Sequence, residues 1–76
     1  MNKIRRKNLQ AIIDRLEELK SDLEDIQAEE EECRDNIPES MQESEQYEKA
    51  EEACDNLEEA VSGLEDVISS IEAAME

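Results

Sequence analysis

The second half of the chain repeats every seven residues, and this heptad constrains the fold more than any other feature of the sequence. Apolar residues recur there at alternating spacings of three and four, which places them on one stripe of a supercoiled α-helix. The core positions of the heptad, called a and d, are Tyr47, Ala50, Cys54, Leu57, Val61, Leu64, Ile68, Ile71 and Met75. The repeat predicts a long helix that packs this stripe against a partner helix.

The first half of the chain carries the same heptad. Its a and d positions are Leu9, Ile12, Leu16, Leu19, Leu23, Ile26, Glu30 and Cys33, with Ile37 continuing the count. Pro38 then interrupts the helix, because proline lacks an N–H group and disfavours helical geometry at the residue before it. We therefore predict one domain over residues 1–76, with helix 1 over about 3–34, a turn at about 35–43 and helix 2 over about 41–75.

Serine residues after the proline are candidates for the N-cap of helix 2. Ser40 and Glu43 have the spacing of a capping box, and Ser44 is a second candidate.

The two heptad stripes fit each other as an antiparallel hairpin. If helix 1 folds back on helix 2, residues that pair should have a constant sum of residue numbers, and the a and d positions meet this condition with one turn. The flanking e positions then pair as Arg34 with Glu51, Lys20 with Glu65, Gln27 with Glu58 and Ile13 with Glu72. The sequence therefore predicts an all-α fold, an antiparallel two-helix coiled-coil hairpin.

The other flank of helix 2 is apolar, with Ala53, Ala60, Val67 and Ala74 at the g positions. Helix 1 faces this flank with Asn8, Arg15, Asp22 and Glu29. One interpretation is a slightly apolar edge covered by the stems of long side chains. The other, which we favour, uses these four residues as an oligomer interface, so that two hairpins form a homodimeric four-helix bundle.

Charge and composition exclude several classes of protein. The 76 residues carry a formal charge of −16, which disfavours direct binding to nucleic acid. We find no run of 18 apolar residues and no signal peptide, and we expect a cytoplasmic protein without a membrane span. Cys33 and Cys54 are too few for a disulfide framework; we expect buried free thiols, with a cross-hairpin disulfide as the alternative.

No residues suggest catalysis. The chain lacks histidine, and no Ser, Cys or Lys has an evident general base beside it. Glu30 is the only carboxylate at a predicted core position; it either fixes the register opposite Cys54 or reaches water near the turn. Tyr47, the only aromatic residue, is expected to plug the end of the core. We predict a non-enzymatic protein with no cofactor and no metal.

Acidic residues supply the candidate partner-binding surface, and they are dense near the predicted turn. The residues that we select are Glu29, Glu30, Glu31, Glu32, Glu48, Glu52, Asp55 and Glu59. Carboxylates spaced along a helix can imitate a phosphate backbone and occupy the channel of a basic, nucleic-acid-binding protein, although such a face also simply keeps a small bundle soluble. The basic start of helix 1 and its acidic end both oppose the helix dipole. In the hairpin the basic start lies beside the acidic end of helix 2, whereas the Glu29–Glu32 run has no such compensation.

The segment DNIPESMQESEQYEKAEEACDNLEEAVSGLEDVISSIE resembles part of small acidic proteins encoded by Firmicutes, their phages and mobile elements. In those proteins an N-[IL]-P-E-x-[LM]-Q turn is followed by a serine, often a tyrosine, and heptads that open with Leu-Glu. The resemblance covers about the last half of the chain and implies a helical hairpin, no assigned activity and a phage-linked setting.

The sequence therefore leads to two hypotheses. In the first, the chain binds another protein through its acidic helical faces, as a phage-linked inhibitor that acts as a nucleic-acid mimic. In the second, it is a structural coiled-coil oligomerisation module that uses the apolar flank of helix 2.

Overall fold

The chain folds into two long helices joined by a short turn. The structure, a computed structural model, describes residues 1–41 and 44–76. Helix α1 covers Lys3–Asp35, a 3₁₀ turn covers Glu39–Met41, and helix α2 covers Glu45–Met75. Helix α1 agrees with the prediction to within one residue, whereas α2 begins four residues later than residue 41. The result is a rod that measures 59 × 15 × 12 Å.

Side-chain caps explain where both helices begin. The side-chain oxygen of Asn2 accepts a hydrogen bond from the backbone N–H of Arg5 at 2.8 Å. Ser44 does the same for α2 by accepting from the backbone N–H of Tyr47 at 3.3 Å. Each cap satisfies one of the N–H groups that a helix start leaves without an internal partner. Ser44 is therefore confirmed as an N-cap, while Glu43 of the alternative capping box lies outside the described residues.

The end of α1 is set by the residues before Pro38. The backbone N–H of Asn36 still donates to the carbonyl of Glu32 at 3.0 Å, and that of Ile37 donates to the carbonyl of Arg34 at 3.1 Å. Pro38 then accepts from the backbone N–H of Met41 at 2.8 Å, which closes the 3₁₀ turn. The chain reverses here because proline cannot continue the α-helical hydrogen-bond ladder.

The two helices pack along each other in antiparallel directions, as the prediction states. Lys20 Nζ lies 3.7 Å from Glu65 Oε1, the pairing that the heptad register requires. Near the chain termini, Leu9 lines one groove together with Ile71 and Ala74. These contacts confirm the antiparallel hairpin.

The core of the hairpin is small. Among the described residues only Ile13, Cys54, Val61 and Ile68 are buried, at 3%, 3%, 8% and 5% exposure. An isolated hairpin of this size is therefore marginally stable.

Helix α2 uses the predicted stripe, but α1 does not. The residues of α1 that approach α2 occupy the a and e positions, and Ile13 is the buried one. The predicted d positions turn outward: Ile12, Leu19 and Ile26 are 36%, 58% and 52% exposed, and Cys33 is exposed as well. The prediction that these d residues pair with α2 in the hairpin core is therefore wrong.

The rotation of α1 brings one cation to the carboxylate row at the e positions of α2, which consists of Glu51, Glu58, Glu65 and Glu72. Lys20 reaches Glu65 in this arrangement. Ile13 replaces Ile12 in the core, but Lys20 and Gln27 take the seam positions of Leu19 and Ile26. An exposed ion pair contributes about 0–1 kcal/mol, which is less than the burial that two aliphatic side chains give up, so the rotation leaves apolar area of α1 uncovered.

Three single-residue predictions have mixed outcomes. Both cysteines are free; Cys54 is buried as expected, whereas Cys33 is exposed, which corrects the prediction of two buried thiols. Glu30 is half-buried beside the turn and lines a groove there. Tyr47 is half-buried at the turn end of the hairpin. No helix among the described residues is long and apolar enough to cross a membrane.

Candidate functional site

One side of the rod carries a continuous apolar surface, which we call the apolar flank. We define it by eight residues that occupy the d positions of α1 and the g positions of α2: Ile12, Leu19, Ile26, Cys33, Ala53, Ala60, Val67 and Ala74. Seven of the eight are exposed, and Ala53 is half-buried. Val67 is 47% exposed, comparable with Leu19 and Ile26.

The heptad places both rows on the same side of the rod, and each of two grooves between the helices is lined by members of one row. The groove near the turn is lined by Cys33 of α1 together with Gln46 and Lys49 of α2. The groove near the chain termini is lined by Leu9 of α1 together with Val67 and Ala74 of α2. The Lys20–Glu65 ion pair lies on the opposite side of the seam, because both residues occupy e positions. The apolar flank and the ion-paired flank are therefore two distinct sides of the rod.

Carboxylates are sorted along α2 in a way that extends the apolar flank. All ten acidic residues of Glu45–Met75 stand at positions b, e and f of the heptad. The c positions next to the g row are instead Lys49, Asn56, Gly63 and Ser70. In a chain with 24 acidic residues, a single packed seam does not require this second carboxylate-free strip. The strip is the sequence signal that points to the apolar flank as a contact surface.

Gly63 sits in this strip and has no role within the hairpin. A Cβ atom added to it would meet nothing within 4 Å. Glycine in a helix interior destabilises the fold by about 0.5–1 kcal/mol relative to alanine. The space above Gly63 is open to a neighbouring helix.

The predicted acidic residues do not form a single surface. They gather at the turn end of the rod, but the heptad points them in different directions. Glu29 stands at the edge of the apolar flank, Glu30 is half-buried in the turn-end groove, and Glu31 accepts a hydrogen bond from Gln27 Nε2 at 3.3 Å. Glu29 is exposed, as are the other five: Glu32, Glu48, Glu52, Asp55 and Glu59. All eight lie in the half of the rod nearest the turn, and we call this group of eight the acidic collar.

Few of the carboxylates are paired with cations. Within residues 1–41 and 44–76, the ion pairs are Lys20–Glu65, Arg34–Asp35 and Lys49–Glu45. The hydrogen bond from Arg34 Nε to Asp35 at 3.2 Å raises the pKa of the guanidinium. Neither Arg34 nor Gln27 therefore makes the cross-helix pair that the heptad suggests. The surplus negative charge faces solvent.

The chemistry available in the rod is limited. Burial raises the pKa of the Cys54 thiol, and nearby Glu30 acts in the same direction although Arg34 opposes it. A thiol with a raised pKa is a poor nucleophile at neutral pH, because little thiolate is present. In the part of the chain that the structure describes, no three His, Cys, Asp or Glu side chains are grouped to hold a metal ion.

Comparison of the chain with protein-family models, with curated proteins and with solved structures finds no match. The proposals below therefore depend on the geometry of the rod.

Proposed function

We propose that this chain is a non-enzymatic protein-interaction module whose contact surface is the apolar flank. The observation that supports the proposal most directly is the row of Ile12, Leu19 and Ile26, which stays exposed at heptad spacing although the neighbouring Ile13 is buried against α2. Single exposed aliphatic residues are ordinary, but a contiguous apolar strip on a small protein marks an interaction site.

The geometry of the flank favours a helical partner. A heptad row of large side chains lies beside a row of small ones, and this alternation suits helices that pack side by side. This geometry supports the second hypothesis from the sequence, an oligomerisation module. Its interface then includes the exposed d residues of α1, which the heptad predicts in the core. Dimerisation through Ala53, Ala60, Val67 and Ala74 becomes part of a wider contact surface.

A binding experiment with matched variants tests this proposal. We would replace Leu19 by Glu in the flank and, as a control, Ser21 by Glu on the outward side of the same helix. Both changes add one negative charge at an exposed position of α1. Association with another chain, measured in 0.5 M salt, should be lost for Leu19→Glu and kept for Ser21→Glu. Equal behaviour of the two variants would refute the assignment of the flank.

The acidic collar is the surface for a second candidate function, the binding of a basic protein in place of nucleic acid. The supporting observation is that six of its eight carboxylates are exposed in the half of the rod nearest the turn. Binding of this kind weakens steeply with salt. Reversal of the four charges at Glu29–Glu32 to lysine should abolish it without loss of helicity. Binding retained by that variant, or binding insensitive to salt, would exclude the nucleic-acid mimic, including its version as a phage-linked inhibitor.

A further inference from the structure

We infer that the occupant of the apolar flank is a second copy of this chain, packed face to face and antiparallel about a two-fold axis that crosses the rod at Leu19. This inference rests on the proposed function, because it names the partner of the same surface. It adds the orientation and the register of the contact, which the hairpin alone does not specify.

The symmetry of the two rows fixes the position of the axis. In α1 the three large aliphatic residues of the exposed row are symmetric about Leu19, since Ile12 and Ile26 lie seven residues to either side. The fourth member of the row, Cys33, then lies opposite Arg5 of the second copy. In α2 the g row is symmetric about a point between residues 63 and 64. The Lys20–Glu65 contact places these two centres at the same level of the rod to within about one or two residues, or roughly 1.5–3 Å. A single two-fold axis can therefore pass through the centre of the α1 row and the centre of the α2 row.

This axis brings complementary side chains together. Leu19 meets Leu19 of the second copy, and Ile12 meets the second copy's Ile26. On the other helix, Ala60 meets the second copy's Val67. The open space above Gly63 lies on the axis, so the two α2 helices approach each other where their side chains are smallest.

The charged edge of α1 is also complementary under this operation. Arg15 and Asp22 stand at successive g positions beside the exposed row. An antiparallel pairing centred on Leu19 sets Arg15 of each copy opposite Asp22 of the other. The axis therefore produces two equivalent intermolecular ion pairs.

The charges at the ends of the α1 helices are also compensated in this dimer. The four basic residues within 3–7 lie beside the Glu29–Glu32 run of the second copy, and the reverse contact follows by symmetry. This arrangement supplies the compensation that the acidic run lacks in the hairpin. A two-fold axis along the rod would instead bring both turn ends together and set the Glu29–Glu32 run at the level of Glu52 and Asp55 of the other copy. Repulsion between these carboxylates disfavours that alternative.

The available area matches the requirement of a stable dimer. A rod face of 59 × 15 Å offers roughly 900 Å² on each copy when the two faces overlap fully. Specific interfaces bury about 800 Å² per partner. Full overlap requires the axis to cross near the middle of the rod, and Leu19 is the central residue of Lys3–Asp35.

Disulfide trapping tests the inference with the full chain. In a Cys33→Ser, Cys54→Ala background, Leu19→Cys should form a covalent dimer under mild oxidation at least about tenfold faster than Ser21→Cys, because only Leu19 faces its own copy across the axis. Val67→Cys should not trap with itself but should trap with Ala60→Cys in a mixture of the two proteins. Helicity by circular dichroism confirms that each variant is folded.

Charge reversal supplies an independent readout. Arg15→Asp and Asp22→Arg should each raise the dimer dissociation constant by about five- to tenfold, since each places like charges opposite one another twice. The double variant should return to within about threefold of the original value.

Two results would overturn the inference, and they bear differently on the proposed function. Trapping of Leu19→Cys with Val67→Cys, but not with itself, would show that the axis runs along the rod; the flank would remain the interaction surface. A chain that stays monomeric at 0.5 mM would exclude a second copy as the occupant. In that case the loss of some other association in Leu19→Glu alone would still support the proposed function.

Discussion

Replacement of Leu19 by alanine is the perturbation whose effect the structure defines best. The side chain is 58% exposed in the hairpin, and the proposed dimer buries that remainder on the two-fold axis. Because full burial of a leucine contributes about 1.5–3 kcal/mol, burial of the exposed part contributes about 1–1.7 kcal/mol per copy. An alanine at this position would bury less apolar area and supply only a fraction of this contribution. The loss occurs twice, because each copy of the dimer contains the substitution.

The expected loss in the dimer is therefore about 2–3 kcal/mol, which raises the dissociation constant roughly 30- to 150-fold. The hairpin itself should lose less than about 1 kcal/mol, since Leu19 is only partly covered there and alanine is the best helix former. Sedimentation equilibrium over a concentration series measures the first quantity, and circular dichroism at high concentration checks the second.

Ser21→Ala is the matched control, because Ser21 is exposed on the outward side of α1. It should leave the dissociation constant unchanged within twofold. A Leu19→Ala protein that dimerises within threefold of the original chain would refute the reasoning, because the residue at the proposed axis would then carry no contact.

Four further outcomes are expected. Gly63→Ala should stabilise the monomer against unfolding by about 0.5–1 kcal/mol but weaken self-association. Thermal melting at several protein concentrations separates these two effects. Higher salt should tighten the dimer, since it screens repulsion between two chains that each carry −16, and sedimentation at 0.05 and 0.5 M salt measures the change. A thiol-specific reagent at pH 7.5 should modify Cys54 at least about tenfold more slowly than Cys33, because Cys54 is buried and its pKa is raised; equal rates in the native protein would contradict the burial. Ile13→Ala should destabilise the hairpin by about 2–4 kcal/mol in chemical denaturation, whereas Ile12→Ala should cost roughly two-thirds as much, because Ile12 is 36% exposed.

The fold could be predicted from the sequence because the heptad and Pro38 together leave few alternatives. A stripe at positions a and d of α2, an interrupted helix and a constant pairing sum lead to one antiparallel hairpin. The burial of Cys54, Val61 and Ile68 at consecutive a positions confirms this reasoning for α2. Local capping by Ser44 was also readable, since serine at an N-cap has a specific hydrogen-bonding role.

The rotation of α1 could not be predicted from the heptad alone. Ile12 and Ile13 are adjacent and identical, so the apolar pattern permits either residue to face α2. In the structure Ile13 and Lys20 face α2, with Lys20 Nζ 3.7 Å from Glu65 Oε1, and Leu19 and Ile26 stay exposed. A heptad read on one helix at a time does not specify how far that helix is rotated against its partner.

The candidate functional surface also depends on how the d residues of α1 are assigned. When Ile12, Leu19 and Ile26 are assigned to the core, the apolar flank is reduced to the g row of α2, and the acidic residues are the more prominent surface. The strip of Lys49, Asn56, Gly63 and Ser70 was nevertheless present in the sequence. Sorting of carboxylates away from a strip indicates a covered surface, just as sorting of apolar residues onto a stripe does.

Sedimentation equilibrium of the unmodified chain tests the central claim most directly. In 0.15 M salt, across concentrations from 1 μM to 0.5 mM, the apparent mass should rise from that of the 8.7 kDa chain to twice that value and stop there. A mass that stays at 8.7 kDa over the whole range would contradict the account of the apolar flank as a self-association surface.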